Sequence, residues 1–263
     1  MSETKNAAAG FRERFIAGET LVGTFVKTPT IHPVEILGQS GFEFVVIDEE
    51  HAPWDRVAID AALLAARASG TAGIVRVAEP SAAKILAVLD DGATGVLVPH
   101  VSSAAKAKEI AQACRFRGGR RGFSNTTRAG SFGAVGVWAH VEAQDAQSTF
   151  IAMIEDPEAL DEIDAIVATD GLDGVFIGRG DLTVALGASA MDAPEIMGAC
   201  EKIIAAAKKA GKPVAMMVAT QEDARRFHAM GATTFIVASD QGFMRQAATK
   251  AYAEISSVGA KKA

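Results

Sequence analysis

Eight short runs of apolar, largely β-branched residues recur along the chain, at 21–26, 42–47, 73–77, 95–98, 150–154, 174–177, 213–218 and 234–238. Several are apolar at every position, the pattern of parallel strands covered on both faces. Between them lie Ala-rich segments with helical periodicity, including 55–69, 81–90, 103–114, 158–169, 194–210 and 221–230. Gly41, Gly70, Gly92, Gly171, Gly211 and Gly231 stand between a helical segment and the next apolar run, where glycine takes the left-handed conformation that ends a helix. Eight strand–helix units in 263 residues predict a single (β/α)8 TIM barrel spanning 1–263. An open doubly wound sheet with two extra strands is the alternative.

Composition removes several classes of function. With 49% hydrophobic and 22% charged residues the chain is expected to be globular. Its 26 basic and 32 acidic residues are interspersed, leaving no basic stripe for nucleic acid. Cys114 and Cys200 are far apart and are read as buried fillers, with neither a disulfide nor a zinc site implied. No apolar run reaches membrane-spanning length, and the polar segment 1–10 has no signal-peptide core, so a cytoplasmic enzyme with no membrane partner is the expectation.

In such a barrel the chemistry belongs to polar residues just past the strands. The second run exits into Asp48-Glu49-Glu50-His51-Ala52-Pro53, the third carries Arg76, the fifth ends at Glu155-Asp156, and the sixth continues into Gly178-Arg179-Gly180-Asp181-Leu182. The fourth ends more quietly, at Pro99-His100. Glu155 and Asp181 leave adjacent strands, so their carboxylates can converge on a divalent ion. Asp156 is read as a helix cap, and capping competes with metal binding as the account of Asp181. His51 is either a base near neutral pH or a structural loop residue. Arg76 interrupts a buried strand and needs an anion, either a substrate carboxylate or enolate, or Asp48 or Glu50. Asp90, at a helix end before Gly92, lies nearer the wrong face to reach its own His51. Lys27 is the one lysine placed near a strand's C-terminal end and would serve a Schiff-base mechanism, although a solvated role is preferred. The longest irregular stretch, 115–131, has a length often associated with function.

The strand-end residues carry a resemblance. Asp48-Glu49-Glu50-His51-Ala52-Pro53, Val75-Arg76-Val77, Leu89-Asp90-Asp91-Gly92, Arg121-Gly122-Phe123-Ser124, Ile154-Glu155 and Gly178-Arg179-Gly180-Asp181-Leu182 make the chain resemble the HpcH/HpaI aldolase family, the class II pyruvate aldolases with a phosphoenolpyruvate/pyruvate-type barrel. The resemblance implies a carbon–carbon lyase that interconverts a 4-hydroxy-2-oxoacid with pyruvate or hydroxypyruvate and an aldehyde. It implies Mg2+, Mn2+ or Co2+ held by Glu155 and Asp181, with the ketoacid carboxylate against backbone N–H groups of Gly180 and Asp181. His51 becomes the base, Arg76 the partner of the enolate, and Asp48 and Glu50 acceptors for water around the ion. Asp90 is implied to raise the basicity of a histidine in a neighbouring subunit of a homohexamer, with a C-terminal helix at 241–255 packing on a partner. Two departures bear on substrate: Met153 stands where the family often has Gln, and the stretch after Gly122 is unusually polar, which favours a hydroxylated donor or acceptor. The rivals are a citrate lyase β-like enzyme acting on CoA thioesters, with Arg115, Arg117, Arg120 and Arg121 as its candidate phosphate binders, and a silent ketoacid-binding barrel.

Overall fold

A computed structural model describes residues 10–259; part of the polar segment 1–10 therefore lies outside the described residues. Eight strands, β1 (Leu21–Val26), β2 (Phe44–Asp48), β3 (Ala72–Arg76), β4 (Gly95–Val98), β5 (Thr149–Ile154), β6 (Gly174–Ile177), β7 (Val214–Val218) and β8 (Thr234–Ser239), close into one barrel in sequence order. Every neighbouring pair, including β1 with β8, is parallel. The open sheet is thereby replaced by the closed barrel.

The helices are α1 (Phe11–Ile16), α2 (Ile31–Gln39), α3 (Arg56–Ser69), α4 (Ala82–Asp90), α5 (Ala104–Cys114), α6 (Val137–Gln147), α7 (Pro157–Asp161), α8 (Ile163–Val167), α9 (Arg179–Ala185), α10 (Pro194–Lys209), α11 (Gln221–Met230) and α12 (Asp240–Ser256). Several start where a side chain meets a free helical N–H: Asp55 caps α3, Ser81 α4, Ser103 α5 and Thr220 α11. The six helix-ending glycines all have positive φ, from 67° at Gly211 to 124° at Gly231. The single helix expected over 158–169 is two short ones, α7 and α8, broken at Glu162.

Strand parity separates two cores. Val45, Ile47, Val75, Phe150, Ile154, Val175 and Val214 pack outward beneath the helices. Val46, Ile74, Leu97, Met153 and Phe176 fill the barrel interior. The N-terminal end of the interior is closed by α1, whose Phe11 and Phe15 rings stack at 5.9 Å, with Phe44 5.4 Å from Phe11. This plug had no signal in the strand periodicity. It fits because a Cβ at Gly174 would lie 2.6 Å from the Phe15 ring and one at Gly23 would lie 2.4 Å from Phe44. Asp173 anchors it, accepting from Arg12 Nη2 at 2.7 Å and from Arg115 Nη2 at 2.8 Å. Phe15→Ala is expected to lower unfolding free energy by about 3–5 kcal/mol in urea denaturation.

Candidate active site

The inward parity of Val46, Ile74 and Met153 extends to Asp48, Arg76 and Glu155, which form the top layer of the barrel filling. Asp48 and Arg76 share a register position on β2 and β3. Arg76 Nε and Nη2 donate to the two oxygens of Asp48 at 2.8 Å each, and Nη1 lies 3.2 Å from Glu50 Oε2. Both internal carboxylates named as alternatives therefore hold the guanidinium, which also packs 4.8 Å over the Phe25 ring. Two of its five N–H groups are bonded to Asp48, and Nη1 faces Glu50 as an ion pair without a hydrogen bond.

Lys27 is not simply solvated: its Nζ lies 3.1 Å from Asp48 Oδ2, and Asp240 holds the Lys27 backbone N–H at 2.8 Å. Burial raises the Asp48 pKa, but the bonds and charges of Arg76 and Lys27 outweigh it, leaving the carboxyl below its ordinary value. Asp48 also accepts the backbone N–H of His51 at 3.2 Å. The His51 ring is half exposed, with Nε2 3.6 Å from Glu50 Oε2.

Across the mouth, Glu155 is 2% exposed. Its Oε1 accepts the His100 backbone N–H at 2.8 Å, while Oε2 receives no hydrogen bond among the described residues. Burial first, then repulsion from Asp181 and Glu50, push its pKa up to about 7. Gly178 makes room for it: a Cβ there would lie 2.6 Å from Glu155 Cβ and 2.8 Å from Oε2. Asp181 is exposed in the first turn of α9, a helix whose N-terminus carries no side-chain cap. Ile154 and Ile177 share a register position on adjacent strands, so Glu155 and α9 leave the barrel at one mouth, where Asp181 repels Glu155. Gly180 lies in that first turn, where backbone N–H groups lack intrahelical acceptors.

Asp156 does not cap α7 with its side chain; it points instead to His100 Nδ1 at 3.0 Å. Burial opposes charge on His100, but Asp156 and Glu155 prevail and raise its pKa. Ligand atoms of Glu50, His100 and Glu155 lie within 4.8 Å of one another. Asp181, expected beside Glu155, is not one of these three. The sequence motifs point to Glu50 as an acceptor for water or a partner of Arg76 and to no role for His100, although both stand at strand exits.

A largely buried carboxylate with an undonated oxygen, beside further acids, is relieved by a proton or by a cation, and oxygen-rich donors suit Mg2+ or Mn2+. The residues present fit a divalent ion.

Asp90 is elsewhere. It ends α4 at the N-terminal face of the barrel, where Arg121 Nη2 donates to it at 3.1 Å and the Arg121 guanidinium packs 4.4 Å over Phe116. Burial lowers the Arg121 pKa against the opposing pull of Asp90. The stretch 115–131 lies on this same face, beside a cavity of about 710 Å³ lined in part by Arg67, Arg128, His140 and Gln144. Its polar residues therefore do not line the mouth formed by their own chain. Arg115, Arg117 and Arg121 are engaged with Asp173, Glu142 and Asp90. They offer no phosphate pocket at the strand C-termini. Met153 is buried inside the barrel at the level of Phe176. Cys114 and Cys200 are buried free thiols with pKa values raised by burial to about 12 and about 11.

A closed parallel barrel with clustered acids and an arginine at its strand C-termini places charged side chains where (β/α)8 enzymes carry their active sites. The chain belongs to the HpcH/HpaI aldolase/citrate lyase family, whose model matches residues 21–247. It is 35% identical over 242 residues to the 5-keto-4-deoxy-D-glucarate aldolase of Klebsiella pneumoniae subsp. pneumoniae, covering 91% of this chain and 94% of that one. Among solved structures, an HpcH/HpaI aldolase/citrate lyase family protein from Burkholderia cenocepacia J2315 superposes with TM-score 0.88 at 27% identity, covering 94% of this chain and 98% of the other. The citrate synthase SbnG superposes with TM-score 0.86 at 28% identity over the same shares.

Proposed function

We propose that this chain is a divalent-metal-dependent class II aldolase, a carbon–carbon lyase that reversibly cleaves a 4-hydroxy-2-oxoacid into a pyruvate-type ketoacid and an aldehyde. Family membership supports the reaction class, and the buried, under-donated Glu155 beside Asp181 is the observation that supports the metal. A 35% identical relative named for a keto-deoxy sugar acid points to hydroxylated substrates, with glyceraldehyde-like aldehydes and pyruvate or hydroxypyruvate as products.

A cation held by Glu155 and Asp181 supplies Lewis acidity toward the keto group. The backbone N–H groups of Gly180 and Asp181 bind the carboxylate. Removal of the 4-hydroxyl proton lets the C3–C4 bond break, with its electrons passing to the C2 oxygen as an enolate. The N–H groups of Arg76 not bonded to Asp48 stabilise that charge, while Asp48, itself paired with Lys27, fixes the guanidinium. His51, held through its backbone by Asp48, is the proton carrier that then protonates C3.

The site is proposed to be completed by further copies of the chain, in a homo-oligomer of hexameric form. No residue of α12 is buried, and Met244, Tyr252 and Ile255 expose 65%, 77% and 74% of their surfaces. Asp90, held by Arg121 at the opposite end of the barrel, can meet a His51 only in a neighbouring molecule.

Pyruvate release from a 4-hydroxy-2-oxoacid is expected to vanish in EDTA and return with Mg2+, Mn2+ or Co2+. Activity indifferent to EDTA and trapped by borohydride would move the chemistry to a lysine. Silence in every condition would favour the thioester or binding-protein reading.

A further inference from the structure

His100 follows Pro99 at the exit of β4 with φ of 54°, a left-handed conformation uncommon for residues with a Cβ. Two hydrogen bonds hold it: its backbone N–H to Glu155 Oε1 at 2.8 Å, and Nδ1 to Asp156 Oδ1 at 3.0 Å. An ionised carboxylate only accepts, so Nδ1 carries the hydrogen of that bond, and in the neutral ring Nε2 keeps the lone pair. Nε2 lies 3.8 Å from Glu50 Oε1. A carboxylate behind one ring nitrogen, with the other turned toward Glu50, is the arrangement that orients metal-binding histidines, and Nδ1 also lies 3.6 Å from Glu155 Oε1. Glu50 Oε2 makes no hydrogen bond but faces Arg76 Nη1 at 3.2 Å, whereas Glu50 Oε1 and Glu155 Oε2 receive no hydrogen bond among the described residues. Three side chains whose ligand atoms lie within 4.8 Å of one another, with undonated carboxylate oxygens among them, make a donor set suited to a cation.

We propose that His100 is a nitrogen ligand of the cation site, oriented by Asp156 and acting beside Glu155 and Glu50, and that it shifts the site's preference from Mg2+ toward Mn2+ and Co2+. The inference rests on the metal reading above. Imidazole favours later first-row ions, whereas Mg2+ prefers oxygen and near-ideal octahedral geometry.

The test uses the full chain, stripped with a chelator and titrated calorimetrically with Mg2+, Mn2+ and Co2+, together with pulsed electron paramagnetic resonance of the Mn2+-loaded protein. The wild-type and His51→Gln proteins should both show coupling of a directly bound nitrogen to Mn2+, and His100→Gln should lack it. His100→Gln should lose roughly 10- to 100-fold in Co2+ affinity and little for Mg2+, with Asp156→Asn weakening Co2+ in the same direction. Nitrogen coupling that survives in His100→Gln, or equal losses for all three ions, overturns the assignment. Ions bound by the wild-type protein without nitrogen coupling refute His100 alone, whatever the variants do. A stripped protein that binds none of the three ions removes the metal reading as well.

Discussion

The Glu155→Gln variant, freed of metal, is expected to unfold at a higher temperature than the metal-free wild-type protein at pH 8, and at the same temperature at pH 4. Glu155 has its pKa raised from 4.5 to about 7, chiefly by burial. Between those values the folded protein keeps a proton that the unfolded chain has released, so stability falls as pH rises through this window and is level on either side. The full penalty above it is on the order of 3 kcal/mol. Glutamine stays neutral and escapes it. Saturating Mn2+ should reverse the order, because the ion stabilises only the protein that binds it, while pyruvate release by the variant is lost. Thermal unfolding at both pH values, in EDTA and in Mn2+, checks this. A variant less stable than wild type in EDTA at pH 8 would contradict the buried, repelled carboxylate.

Arg76→Met should be the most damaging single change to the fold and the chemistry together. It removes the two 2.8 Å bonds to Asp48, whose side chain is fully buried, and leaves Lys27 as the remaining cation on that acid. Breaking such a buried pair costs about 3–5 kcal/mol. Loss of a donor to the developing oxyanion removes roughly 10²–10³ of kcat. Adding Asp48→Asn to Arg76→Met should recover part of the stability, since the fully buried charge is gone and only the less buried Lys27 and Glu50 lose a partner, but none of the activity. Denaturant unfolding and initial rates on the two variants separate the roles. Recovery of both quantities in the double variant would show that Arg76 only balances Asp48.

Much of this was legible in the sequence because strand periodicity reports burial. Fully apolar runs required cover on both faces, and the interruptions at Arg76 and Glu155 marked where the interior meets the mouth. Turn glycines were equally readable, since positive φ leaves a direct compositional trace. Side-chain choices between competing partners were not. Asp156 precedes a proline at a helix start, the position of a cap, yet it bonds His100 because β4 brings that ring within reach. Lys27 read as solvated because nothing local shows that Asp48 lies across the β1–β2 register. The α1 plug escaped for the same reason: six residues have too few turns to show a period, and their fit depends on glycines on distant strands. The stretch 115–131 has the length of a functional loop, but only the connectivity of α5 to β5 puts it at the other end of the barrel.

Position 178 shows how a site can be held in place by an atom that is absent. Every amino acid one nucleotide change away from glycine carries a Cβ, and at Gly178 that atom would fall 2.6 Å from the Cβ of Glu155. The backbone φ there, −83°, would accept any of them, so the obstacle is steric crowding alone. Single mutations therefore have no neutral route through this codon while Glu155 keeps its place. A lineage released from the requirement for that carboxylate should be free to drift at 178, so that the two positions change together or not at all.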